Sequence, residues 1–359
     1  MQNRLVMTVF TALAPFFTCL ITLLIPGRNS RTLTTECRNK CTIMTLVQGL
    51  QSYMAADGSR ALQSIVEKCY ALGDFPALWA VEGAGKDMAE WHMARNQNPV
   101  RLLMDAPLEP QWQKALLMLH AGIGLGFARY WVEPLRPDCP EAELRNAVLR
   151  VIELCRNNSR PGYCGAAVES LGLVSRFIHN AAFCRRVHQV LVEAAPDCTG
   201  YFWRGCGRSL YFGPKNFMPG FARPSRAIGM CDEEAPDEQC RQGLISGVAW
   251  AITVVNMETP EVMEWVLANM RDYFGDNPGF ENGVVSSVVM RYDTTPGFDL
   301  IDKFRFHRPG DPAWEKAVAA PMGFAMEVVH PLLVKENRLE DVFRYQSQPH
   351  LAESIRSAR

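Results

Sequence analysis

The sequence predicts an all-α protein: repeated helical hairpins of about forty residues, forming an α-solenoid or an α/α toroid behind an N-terminal transmembrane or signal-like segment. Three observations predict it. Glycines in apolar, helix-compatible runs recur at Gly83, Gly124, Gly165, Gly207, Gly247 and Gly283, with successive spacings of 41, 41, 42, 40 and 36 residues. Between them lie amphipathic runs with helix start signals. Strict period-two alternation, the mark of a half-buried strand, is missing, so very little sheet is expected.

The first element is apolar. Leu5 to Gly27 contains no charged residue and is long enough to cross a bilayer, with Arg4 before it and Arg28, Arg31, Arg38 and Lys40 after it. With no good small-x-small cleavage site, an uncleaved anchor is the first reading; a secretory signal or a start at Met44 are the alternatives. Residues 1–43 are therefore assigned to an anchor or signal segment with its linker, 44–345 to the helical body and 346–359 to a tail. The basic flank favours a cytoplasmic body. Twelve cysteines lean towards an oxidising compartment. Membrane association is expected, with the face left open.

Within the body, each glycine segment pairs a glycine with a small residue four positions on. The pairs are Gly85/Ala89, Gly124/Ala128, Gly162/Ala166, Gly205/Ser209, Gly247/Ala251 and Gly283/Ser287. Positions four apart stack on one helical face, so each pair makes a smooth stripe. Glycine costs about 1 kcal/mol in a helix relative to alanine, so its repeated use implies close approach to the backbone. A neighbouring helix is the default explanation; a ligand pressed against the glycine face is the sharper one.

The intervening helices start at recognisable signals. Pro140 leads into a run ending at Cys155, Phe183 to Ala194 forms another, and Thr259-Pro260-Glu261 reads as an N-cap with proline in the first turn of a helix to Met270. Phe212 to Pro236 breaks the pattern and reads as a long loop; its aromatics Phe212, Phe217 and Phe221 point to packing rather than solvation. Cys231 and Cys240 bracket an acidic stretch and fit a disulfide-closed hairpin. Cys139 and Cys198 sit in Pro-Asp-Cys loops, and most cysteines are expected as buried thiols.

Hydrophobic residues make up 48% and charged residues 21%, with a net charge of −1, which excludes a disordered chain. No basic stripe with interleaved aromatics is present, which argues against nucleic acid. There is no Cys-x-x-Cys pair, Walker loop, nucleophile elbow or His-Glu-x-x-His helix. His179, Cys184 and His188 have loose metal-ligand spacing, but only Cys184 and His188 share a helical face, so no metal site is expected.

Candidate chemistry rests on polar groups inside the glycine helices. Glu82, His120 and Arg208 are the catalytic candidates; Gly85, Gly124, Arg204, Tyr211 and Phe212 are the ligand-binding ones, with Glu169 and Glu281 in comparable places. In an apolar cavity, a carboxylate and a histidine would have shifted proton affinities and could act as acid and base. The simpler alternative is that Glu82, His120 and the arginines satisfy one another as buried pairs. Met290 to Pro296 closes the sixth glycine helix, most simply as a helix exit and turn. The motifs do not identify a cofactor.

Three motifs occur in order: Glu82-Gly83-Ala84-Gly85, His120-Ala121-Gly122-Ile123-Gly124-Leu125-Gly126-Phe127-Ala128 and Gly205-Cys206-Gly207-Arg208-Ser209-Leu210-Tyr211-Phe212. Across residues 50–300 the chain resembles the domain family of unassigned function encoded in enediyne polyketide clusters and beside ASPIC/UnbV-type β-propeller proteins. The resemblance implies a role in building or maturing an unsaturated polyketide or lipid-like chain, with an ASPIC/UnbV-type protein and an integral-membrane protein as partners. Three functions follow in order of preference. The first is an accessory protein holding a long apolar chain during oxidative maturation, and the second a helical scaffold for protein assembly. The third is a toroidal carbohydrate-active enzyme using Glu82 and Glu169, which would need an open cleft with carboxyls about 5–9.5 Å apart. Trp79, Trp91, Trp203 and Trp250 are the available sugar platforms, but their apolar runs read as core.

Overall fold

The computed structural model describes residues 28–48, 61–96, 98–213, 216, 223–270 and 277–346. The apolar run 5–27, Phe217, Phe221 and residues 347–359 of the tail lie outside them. Among the described residues every regular element is helical and there is no strand. Fourteen helices follow one another: α1 (Arg28–Gln48), α2 (Leu62–Tyr70), α3 (Asp74–Arg95), α4 (Leu116–Trp131), α5 (Glu141–Asn158), α6 (Cys164–Ile178) and α7 (Ala181–Ala194). Then come α8 (Thr199–Phe212), α9 (Arg223–Glu234), α10 (Glu238–Val255), α11 (Glu261–Asn269), α12 (Pro278–Thr294), α13 (Leu300–Arg305) and α14 (Pro312–Lys335).

The glycine-bearing segments are α3, α4, α6, α8, α10 and α12, and each packs against the next. Their glycines mark the contacts. A Cβ on Gly122 would lie 2.1 Å from the Glu82 carbonyl oxygen, and one on Gly172 would lie 1.8 Å from that of Phe202. Gly207 and Gly247 face each other across α8 and α10. All six helices run parallel. Gly122 meets Glu82 while Gly126 meets Ala89, and Gly165 meets Tyr201 while Gly172 meets Cys206. Likewise Gly243 meets Trp203 while Gly247 meets Arg208, and Gly279 meets Gln242 while Gly283 meets Ser246. Between α4 and α6, Ser170 donates to the Ala121 carbonyl and His179 reaches that of Val132. Parallel neighbours require a return path, which the intervening segments provide. The missing side chains let backbones close in, so dispersion and weak Cα–H···O contacts offset the helix-propensity cost of glycine.

The last of these helices also reaches the first. Arg291 of α12 donates to the Asp74 carbonyl at 2.9 Å, with its guanidinium 4.3 Å from the Phe298 ring centre. Trp79 of α3 meets Trp250 of α10 edge-on at 6.0 Å. Trp79, Trp203 and Trp250 are buried, so they are core.

Several local expectations change. α1 runs through residue 43, with Glu36, Cys37, Asn39, Lys40, Cys41 and Ile43 buried, so the helical body begins before Met44. The stretch read as a loop from Phe212 contains helix α9. Cys231 and Cys240 lie on α9 and α10 as buried free thiols, Cys231 donating to the Ala227 carbonyl, so the expected disulfide is not formed. Gly162 precedes α6 at φ +82°, a left-handed turn rather than part of a helical stripe. Thr259 does not cap α11, since its hydroxyl donates to Asn256; Asn180 does cap α7 through the Phe183 N–H.

α14 is the one described helix long and apolar enough to cross a membrane. Its Trp314, Val318, Met322, Val329 and Leu333 are buried, while Glu315, Lys316, Glu327 and Lys335 are exposed, as on an amphipathic core helix. Two π-type turns, Glu315–Ala319 and Ala325–Val329, widen it just before Pro321 and Pro331, accommodating rings that would otherwise clash with the preceding turn.

Candidate functional site

The parallel helices bring four charged residues together. Arg208 of α8 donates to Glu169 of α6 at 2.8 Å and to Glu82 of α3 at 3.0 Å. Arg204, one turn earlier, donates to the other Glu169 oxygen at 2.9 Å and to Ser286 of α12 at 3.1 Å. All four are essentially fully buried, and Trp250 lies under both guanidiniums, 4.5 Å from Arg208 and 5.2 Å from Arg204. One network thus joins three glycine helices directly and a fourth through Ser286, the register-fixing arrangement expected as the simpler reading.

The proton affinities follow from the wiring. Burial raises the Glu82 carboxyl above its ordinary range, against the opposing pull of Arg208. Burial lowers Arg204 to about 10, against Glu169. Burial also acts to lower Arg208, but it faces two carboxylates and ends up raised. Glu82 faces one guanidinium and Arg208 two carboxylates, which is why desolvation wins at one and attraction at the other.

Above Glu82 and Arg208 lies a cavity of about 100 Å³. Its lining is mostly apolar: Ile43, Met44 and Val47 of α1, Leu125 of α4, Leu173, Val174, Phe177 and Ile178 of α6, and Phe212 of α8. Glu82 and Arg208 are buried, whereas Val47, Gln48, Arg129, Glu133, Leu173, Phe177 and Ile178 are half-buried. An engineered apolar cavity of about 150 Å³ binds benzene, so a thin apolar group is the scale of occupant.

The predicted residues therefore divide. Glu82, Arg208 and Phe212 meet at the cavity, and Arg204 stands behind them through Glu169. Tyr211 points elsewhere: it donates to Glu36 at 2.5 Å, accepts from Asn256 at 2.9 Å and lies 3.8 Å under the Lys40 ammonium. Gly85 and Gly124 are closed off by neighbouring backbone, at Leu119 and Gly122 for the first and Ala167 for the second. Glu281 sits in the first turn of α12, apart from the network. Glu82 and Glu169 are buried and bridged by Arg208, so they do not flank the open cleft a glycosidase needs.

His120 is also separate. Its Nδ1 reaches the Leu116 carbonyl at 2.6 Å, its Nε2 accepts the Arg160 N–H at 3.1 Å, and Tyr163 stacks on it at 4.9 Å. Both nitrogens are engaged in the neutral form, and burial lowers its pKa to about 3. The unfolded chain gains a proton below about pH 6.5 while the folded one does not until near 3, so stability is lost as pH falls through this window. Between pH 7 and 5 this contributes about 2 kcal/mol of loss. His120→Gln should remove that part of the pH dependence in urea unfolding; an unchanged slope would dismiss the role.

The possible metal ligands have other partners. His188, Asp237 and Cys240 bring donor atoms within 4.8 Å of one another. The Trp203 indole N–H already donates to His188 Nδ1 at 3.0 Å, and Asp237 caps α10 by accepting the Cys240 N–H at 2.8 Å. His179 is turned away to the Val132 carbonyl. At the end of α12, Asp293 pairs with His330 at 3.0 Å and Thr295 donates to the Arg291 carbonyl, as a helix exit would.

Sequence reasoning missed the α1 wall of the cavity and the pair Arg129 and Glu133. The signals were present: Ile43 and Val47, Leu173 and Phe177, and Val174 and Ile178 are each four apart on a helical face, and Glu133 lies four residues after Arg129, just past the end of α4. No protein-family model, curated protein or solved structure matches the chain.

Proposed function

We propose that this chain is an enediyne-biosynthesis-like accessory protein that holds a long apolar, unsaturated polyketide or acyl chain during its oxidative maturation. It would work in a membrane-associated complex, with an ASPIC/UnbV-type protein and an integral-membrane protein as partners. One observation carries the reading: a mostly apolar cavity of about 100 Å³ includes the buried Glu82–Arg208 pair in its lining. The half-buried lining residues would let the rest of a long occupant run outward. The six parallel glycine helices support a toroid or solenoid of hairpins of about forty residues as the frame.

The test is native mass spectrometry and lipid extraction of full-length protein purified from its own host. A co-purifying apolar chain, lost at least tenfold in a Val174→Phe variant that fills the cavity, is the expected result. Ligand-free protein carrying a stoichiometric protein partner would instead make it an assembly scaffold, with the glycine helices serving packing alone.

A further inference from the structure

We propose that His188, Asp237 and Cys240 bind a zinc-class divalent cation at a site apart from the cavity. His188 lies in α7, Asp237 is the N-cap of α10 and Cys240 sits in the first turn of α10. One ligand atom from each, an imidazole nitrogen, a carboxylate oxygen and a thiol sulfur, lies within 4.8 Å of the other two. None of the three residues lines the cavity. Zinc bonds of about 2.0–2.3 Å place tetrahedral donors about 3.3–3.6 Å apart, so side-chain shifts of about 1 Å close the set. Asp237 is exposed and His188 half-buried, which gives an ion a way in and both side chains room to move, while Cys240 forms the buried side.

The donor types select the ion. A mixed sulfur, nitrogen and oxygen set suits zinc, whereas magnesium and calcium take oxygen ligands. Three protein ligands leave the fourth tetrahedral position to water. The existing hydrogen bonds orient the ligands rather than consume them. His188 Nδ1 accepts the Trp203 indole N–H at 3.0 Å, so it carries a lone pair and no proton. The same N–H is within hydrogen-bonding reach of the Cys240 sulfur. When the imidazole turns that lone pair to the metal, the N–H passes to the sulfur, an outer contact that supports a metal-bound thiolate. Asp237 uses one lone pair on the Cys240 N–H at 2.8 Å, and a carboxylate has others to give. Burial and the nearby Asp237 favour the protonated Cys240 thiol before the metal arrives. Ligation breaks the S–H bond, forms the metal–sulfur bond and releases the proton to solvent.

Cobalt titration of the full-length metal-free protein, followed by zinc competition, tests this. Cobalt should bring up a near-ultraviolet sulfur-to-metal charge-transfer band at one equivalent per chain, and zinc should displace it. Cys240→Ser should abolish the band. Cys231→Ser should keep it, because that thiol lies outside the set and donates to the Ala227 carbonyl. Asp237→Asn is the variant that keeps the fold, since asparagine caps a helix as well as aspartate does. It should bind zinc at least about tenfold more weakly, the loss typical even of outer-shell changes, with an unchanged metal-free urea midpoint. No charge-transfer band in the wild type, a band that survives Cys240→Ser, or equal zinc affinity in the wild type and Asp237→Asn would overturn the site.

Discussion

Gly172→Ala is expected to destabilise the fold by about 3 kcal/mol or more, the upper range for forcing atoms into a packed interior. The added Cβ would lie 1.8 Å from the Phe202 carbonyl oxygen and 2.8 Å from its carbon. Both are backbone atoms of α8, which no side-chain rotation can move aside. Relief requires α6 and α8 to separate, which would stretch the Arg204 and Arg208 bonds to Glu169 that join the same helices. Gly124→Ala, with its Cβ 1.9 Å from the Ala167 carbonyl oxygen, should behave alike. Gly229→Ala in α9 is the control: nothing among the described residues lies within 4 Å, and the gain should be about 0.5–1 kcal/mol from helix propensity. Urea unfolding of the three variants measures all of this. Equally small shifts at Gly172 and Gly229 would mean the helices can spread, and the packing account would fail.

Arg208→Met should cost about 3–5 kcal/mol, because it leaves buried Glu82 and Glu169 oxygens without their guanidinium. Methionine fills much of the same space, so the loss is electrostatic rather than a cavity. The pH dependence identifies it. Glu82 already has a carboxyl raised by burial, and removing Arg208 takes away the group opposing that rise. The folded variant should therefore hold protons that the unfolded chain has released, so its stability should fall as pH rises above the ordinary glutamate range. The deficit relative to wild type should be larger at pH 8 than at pH 5. Urea midpoints at both values test this; a loss below about 1 kcal/mol would show that the pair contributes little, and a loss independent of pH would show that Glu82 does not carry it.

The helical class was legible because its cause is local. Glycines about forty residues apart, such as Gly207 and Gly247, are the residues that touch across neighbouring helices. The Glu82–Arg208 meeting was only partly legible. Both residues stood out as charges in apolar runs, but a separation of 126 positions leaves no local trace of their contact. His120 misled for the opposite reason: its neighbours looked like a cavity lining, while its actual partners are a carbonyl four residues back and an N–H forty residues on. The α1 wall was hidden by the apolar run before it, which drew the boundary to Met44 although Glu36 and Lys40 already form an i,i+4 ion pair at 2.8 Å. The Cys231–Cys240 expectation failed because nearness in sequence was taken for nearness of sulfur atoms.

The common direction of the six glycine helices has an electrical consequence. Each helix carries about half a negative charge at its C-terminal end, and six aligned helices place those ends on one side of the molecule. Leu125 and Arg129, Phe177 and Ile178, and Phe212 lie in the C-terminal halves of α4, α6 and α8, so the cavity belongs to that electronegative side. Arg95, Arg129, Arg176 and Arg291 occupy the last turns of α3, α4, α6 and α12 and offset part of this field. The last turns of α8 and α10 hold no basic residue, so their share is not offset within the helix. An anion placed at the C-terminal ends of α8 and α10 therefore meets the partial negative charge of both helices, whereas an uncharged molecule does not.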